Sequence, residues 1–431
     1  MADTPSATGS AGRAFNRWYI VLGAIMVQVC LGAIYAWSVF RKPLETELGI
    51  TPTQASLPFS VVLVFFALAT VFGGRLQDRL GPRIVAIIGG VLLALGMVLA
   101  SSARSISMLV FAYGVVSGIG IGFAYVCPIA AGVKWFPDKR GLITGLAVAG
   151  FGAGAFFVAP LAQGLITGKP YNLMGVGLFP LPSIGVYKTF LYLGIAYLVL
   201  VVLGGLILRN PPAGYRPANW NPPQMATGTA SRTDYSSGQM LTTWQFWVIW
   251  LMYFAGCAAG LMMIGQTSPI AQELARFSGA TAAVGVSVLA IFNTLGRIFW
   301  GRVSDAIGRS RTLILMYLIN AVAVFGYFLI PAAPFVFWLC IALVGATFGG
   351  YLALYPAINA DYYGTRHAGV NYGLIFTAYG VGGLLSNIFA PRVKELTGNY
   401  NFAFILTGVL CLAAAVASLF IRPPAARQVS A

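Results

Sequence analysis

Apolar residues fall into twelve long runs, near 18–40, 55–74, 84–102, 107–133, 142–167, 187–208, 244–266, 281–300, 312–331, 334–361, 370–393 and 401–421. Each approaches the roughly 20 residues that carry a helix across a bilayer, and all are too long for membrane-barrel strands of about 10. The stretch 209–243 is rich in Pro, Asn, Ser, Thr and Gly and has no helical period, so it reads as a linker that divides the runs six and six. The pattern predicts an all-α polytopic membrane protein with twelve transmembrane helices in two six-helix bundles. Its parts are a tail at 1–17, a bundle at 18–208, the linker, a bundle at 244–421 and a tail at 422–431.

Composition agrees and sharpens the reading. Only 8% of residues are charged, against about a quarter in a soluble domain, and the mean hydropathy is +0.83. The net charge of +16 comes without a basic stripe and interleaved aromatics, so nucleic acid is not an expected partner. Topology explains the charge better. Seventeen of the 26 Lys and Arg residues fall in the tails and in the segments on their side, eight on the other side or at the ends of runs there, and only Arg297 deep inside a run. The positive-inside rule then expects both termini in the cytoplasm and the chain in the plasma membrane, the inner one in a Gram-negative source.

The halves repeat. Gly74-Arg75-Leu-Gln-Asp78-Arg79-Leu-Gly81 returns 227 residues later as Gly301-Arg302-Val-Ser-Asp305-Ala-Ile-Gly308, followed by Arg309. Pro128, Gly141, Gly145, Gly152 and Gly154 return as Pro356, Gly369, Gly373, Gly380 and Gly382. Such a repeat argues for pseudo-symmetric bundles with a substrate site between them at mid-depth.

Arg297 is the residue to explain. A cation at mid-membrane costs about 2.5–3.5 kcal/mol even on the lenient insertion scale, so it is expected to face a water-filled path or an anion. On a helix it shares a face with Val286, Ala290, Asn293 and Gly301, small or polar residues suited to a cavity. Tyr35, Tyr125, Phe348, Tyr355 and Tyr379, near mid-depth in other runs, are candidates to shape that cavity, since tyrosine offers an apolar face and one hydroxyl. The ten carboxylates all lie away from the centre of any run. The five cysteines sit in apolar runs without metal or disulfide spacing and read as packing residues, and His367 reads as a solvated turn residue.

GRLQDRLGPR and its copy GRVSDAIGRS resemble the signature of the major facilitator superfamily. Asn16 to Trp18, Tyr35-Ala-Trp37, Lys134-Trp-Phe-Pro-Asp-Lys-Arg-Gly141, Asn293 to Arg297 and Asn371-Tyr-Gly373 are similar to the monocarboxylate transporter and oxalate:formate antiporter family within it. The resemblance implies a cytoplasmic latch at Gly74, Arg75, Asp78, Arg79 and Gly81 and at Gly301, Arg302, Asp305, Gly308 and Arg309. It also implies that Arg297 binds the substrate carboxylate, a task for which a planar guanidinium offers two parallel bonds. Tyr379 stands where the oxalate transporter has a second cation, which favours a monocarboxylate of the lactate or pyruvate type. Asn293 stands where animal relatives have an aspartate tied to proton coupling, and Asn cannot carry the proton.

The expected function is therefore proton-coupled monocarboxylate transport by alternating access, working as a monomer in the lipid bilayer without cofactor or metal. Carboxylate exchange of the oxalate:formate type and a carboxylate sensor are the alternatives. An enzyme is not expected, because no HExxH, GxSxG, intramembrane carboxylate pair or intramembrane histidine is present.

Overall fold

A backbone in lipid must satisfy its own hydrogen bonds, so apolar runs of this length become helices. The computed structural model describes residues 16–136, 140–174, 176–212, 215, 217, 234–364 and 368–424. Residues 1–15 and 425–431, most of the linker, Asp138, Lys139, His367 and the Asp78 side chain lie outside the described residues.

Twelve helices are long and apolar enough to span: α1 (Trp18–Leu48), α2 (Pro52–Gln77), α3 (Pro82–Ser101), α4 (Ile106–Gly132), α5 (Gly145–Thr167), α6 (Gly185–Ile207), α7 (Trp244–Glu273), α8 (Gly279–Ile307), α9 (Arg309–Leu329), α10 (Val336–Tyr363), α11 (Val370–Thr397) and α12 (Asn401–Phe420). Their starts are chemically marked. Thr51, Thr243 and Ser278 each accept a backbone N–H of the first turn of α2, α7 and α8, supplying the acceptor that helix N-termini lack. The loop between α5 and α6 departs from the helical expectation, since Tyr171–Leu173 pairs antiparallel with Val176–Phe179.

The bundles meet along two seams, α2 against α11 and α5 against α8. Exchanging the halves maps one seam onto the other, as the sequence repeat demands. The repeat also recurs in the backbone. Gly81 has φ 83 and ψ 162, and Gly308 has φ 89 and ψ 158, a region open essentially to glycine alone. Gly308→Ala should therefore lower the stability of the solubilised protein by about 1–3 kcal/mol, read as a lower midpoint of thermal unfolding. An unchanged midpoint would show that the turn tolerates a side chain.

One expectation about charge needs correction. Arg297 is not the only cation within a helix, because α1 continues to Leu48 and carries Arg41 at 1% exposure. Hydropathy falls at Arg41-Lys42, but the helix continues because Glu45, one turn on, takes the Arg41 charge at 3.0 Å. The latch pairings described lie within the second bundle: Arg309 donates to Asp305 at 2.8 Å, to Ser304 Oγ at 2.7 Å and to Asp361 on α10 at 3.1 Å. These bonds anchor the start of α9 on α8 and α10. Arg75, Arg79 and Arg302 are exposed.

Candidate functional site

The helical period of α8 turns Val286, Ala290, Asn293 and Arg297 inward, all of them buried, and leaves Phe292, Leu295 and Phe299 exposed on the lipid side. Arg297 is only 4% exposed. Its Nε donates to Asn293 Oδ1 at 3.1 Å and its Nη1 to the Val148 carbonyl of α5 at 2.8 Å. The guanidinium thus bridges the α5–α8 seam between the bundles. Its Nη2 and Asn293 Nδ2 are buried without a hydrogen-bond partner among the described residues. Buried donors left unpaired cost about 1–3 kcal/mol, more beside a charge, so both await an acceptor.

Arg297 lines a closed gap with Tyr35 of α1, Phe66 of α2, Tyr125 of α4, Phe151 of α5, Leu352 of α10, and Phe376 and Tyr379 of α11. The gap has no room for a water in this arrangement, so an anion reaches Arg297 only when the bundles part. Arg297 is the only formal charge in the lining. The Tyr35 and Tyr379 hydroxyls meet at 3.0 Å across the bundles. Phe66 sets its edge to Tyr125 at 5.1 Å and to Tyr379 at 5.7 Å, and Phe151 packs on Tyr35 at 5.3 Å. The result is an aromatic box with one cation. A void of about 20 Å³ lies inside the first bundle, lined by Leu93, Met97, Phe190 and other mostly apolar residues, and it holds no cation.

The structure brings Tyr35, Tyr125, Tyr379, Asn293 and Arg297 together. Phe348 sits just behind, 6.0 Å from the Tyr35 ring and 6.4 Å from that of Tyr379. Tyr355 does not join them. It stacks on Tyr253 at 4.1 Å and shares a hydrogen bond with Tyr317 at 2.7 Å, inside the second bundle, because its helical face points to α7 and α9. Phe66, Phe151, Phe376 and Leu352 escaped the sequence reading, since an apolar residue in an apolar run carries no mark of which neighbour it meets. The Val148 carbonyl, a backbone group, had no signal at all.

The sequence pattern of the Major Facilitator Superfamily matches residues 18–387. The chain belongs to the Major Facilitator Superfamily. It is a multi-pass membrane transporter, not an enzyme. It is 30% identical to the oxalate:formate antiporter of Oxalobacter formigenes over 99% of this chain and 96% of that one. It is 28% identical to apicoplast pyruvate carrier 1 of Toxoplasma gondii, over 95% and 89%, and 26% identical to monocarboxylate transporter 12-B of Danio rerio, over 91% and 84%. Among solved structures, the xylose transporter XylE of E. coli superimposes with a TM-score of 0.69 at 13% identity, covering 96% of this chain and 99% of its own. That likeness is one of fold alone.

Proposed function

We propose that the transporter carries small monocarboxylates of the lactate and pyruvate type by alternating access, with Arg297 as the carboxylate site. The observation that carries this is the single cation of the cavity, buried between the bundles with one N–H group unpaired. A monoanion neutralises it, whereas the second carboxylate of a dianion would enter a low-dielectric space with Tyr379, not a cation, opposite. Names of the relatives support carboxylates as cargo. Bound substrate takes the unpaired Nη2 while Nη1 stays on the Val148 carbonyl, so loading neutralises the charge and keeps the tie between α5 and α8. The expected setting is the plasma membrane, with both termini in the cytoplasm.

The deciding measurement is uptake of labelled lactate into proteoliposomes, with acetate, pyruvate, formate and oxalate as competitors. Pyruvate should compete strongly and oxalate weakly; the reverse order would assign a dianion carrier.

Proton coupling is the finer part of the proposal. None of the lining residues is a carboxylate, so a co-transported proton travels on the substrate or on a group near a membrane edge, such as Asp361. Under symport, a protonophore should cut the initial rate of lactate uptake driven by an inward proton gradient several-fold. Unchanged rates would favour anion exchange, the reading that the 30% identity to an antiporter supports.

A further inference from the structure

Arg41 is the second buried cation, and its surroundings are unusual. Its Nε and Nη2 donate to Glu45 Oε1 on its own helix at 3.2 and 3.0 Å, while Nη1 donates across the bundles to Gln266 Oε1 on α7. Gln266 is fully buried, and the Nε2 of the same amide has no hydrogen-bond partner among the described residues. Ser38 precedes Arg41 by three residues, so it lies on the same face of α1, and its buried Oγ also lacks a partner. Two donors thus stand unpaired beside a buried guanidinium.

The charges around them leave an excess. Lys42 approaches Glu273 at 3.6 Å, Lys394 of α11 pairs with the same carboxylate, and Tyr400 donates to it at 3.4 Å. Three cations, Arg41, Lys42 and Lys394, therefore face two carboxylates, Glu45 and Glu273. Nearby, Glu395 is occupied by the Thr53 N–H and by Arg392. Arg41 stands six residues past Tyr35, which at 1.5 Å per residue places it about 9 Å from the cavity toward the face opposite the termini. It lies where α1 of the first bundle packs against α7 of the second.

We propose that Arg41, Ser38 and Gln266 form a second carboxylate site, which receives the anion before it reaches Arg297. When α1 and α7 part, Nη1 of Arg41 loses the Gln266 carbonyl. A carboxylate entering there accepts from Nη1, from the Ser38 hydroxyl and from the turned Gln266 amide, pairing every donor that the closed arrangement leaves bare. Glu45 keeps the other edge of the guanidinium and prevents the site from holding its anion too tightly to pass it on.

The proposal rests on the monocarboxylate reading, and binding can test the two separately. Labelled lactate is equilibrated with the purified full chain carrying Arg297→Gln, its folding checked by thermal unfolding. That variant should retain weak, saturable binding that acetate displaces, and adding Arg41→Gln should weaken it at least about tenfold, the scale of one lost charge-assisted contact. Should Arg41→Gln not fold, Gln266→Leu and Ser38→Ala on the same background should each weaken it about threefold. No saturable binding to a folded Arg297→Gln protein, or binding indifferent to all three positions, overturns the second site while leaving the first intact. Displacement by chloride as strong as by acetate overturns its assignment to carboxylates. A wild-type chain that binds no lactate would instead strike at the reading of Arg297.

Discussion

Arg297→Gln is expected to reduce lactate uptake into proteoliposomes to the level of passive leak, while the protein still reaches the membrane and unfolds in a single transition. The argument is electrostatic. Truncating one partner of a buried, hydrogen-bonded charge pair costs about 2–5 kcal/mol, which at 1.4 kcal/mol per decade is a loss of roughly 30-fold to several-thousand-fold in affinity. The side chain supplies the only formal charge of the cavity lining, so no neighbour compensates. Glutamine retains part of the length and one donor, which protects the contact with Val148 and separates a lost site from a lost fold. Arg297→Lys should also fail by at least about tenfold, because an ammonium is a point charge where Asn293, Val148 and the carboxylate together require a planar fork. Wild-type rates and half-saturation in Arg297→Gln would refute the proposed role.

Gly32→Ala should disrupt the first bundle more than its size suggests. A Cβ at Gly32 would lie 1.7 Å from the Phe151 carbonyl oxygen, 2.5 Å from its carbon and 2.8 Å from its Cα. These are backbone atoms of α5, so no flexible side chain can swing aside. The helices must separate, and overpacking of this kind costs about 1–3 kcal/mol or more. Helix propensity pulls the other way, since Ala is favoured over Gly by roughly 0.5–1 kcal/mol in a helix interior. The sign of the shift in thermal midpoint therefore decides which effect dominates, and a fall is expected. Uptake should fall with it, because Phe151 lines the cavity and Gly32 immediately precedes the tight 3₁₀ turn Ala33–Ala36 that presents Tyr35. A raised midpoint with normal uptake would mean that α1 and α5 do not approach as closely as described.

Much of the fold was legible before any coordinates. Twelve apolar runs became twelve helices, with ends shifted by up to about eight residues where charged residues masked a continuing helix, as from 40 to Leu48 in α1. The pairing of Arg41 with Glu45 at i, i+4 was the one local sign that α1 continued. The site was half legible. Arg297, Asn293 and three tyrosines were found because polar groups in an apolar run announce themselves. Tyr355 looked the same in sequence, yet its hydroxyl is spent on Tyr317.

What the sequence by itself determined is whatever the bilayer enforces residue by residue: the number and type of spans, the two-fold repeat, and the presence of a cation that needs an anion. These follow from local hydrogen bonding and transfer cost, which do not depend on distant residues. Only the tertiary structure decided which faces meet. Tyr35 and Tyr379, 344 positions apart, share a hydrogen bond; Arg297 reaches a backbone carbonyl of the other bundle; and Arg41 is enclosed between α1 and α7. Those outcomes depend on the rotation and tilt of each helix, set by packing summed along whole seams, and in lipid an apolar face gains nothing from the hydrophobic effect that would reveal in advance which partner it prefers.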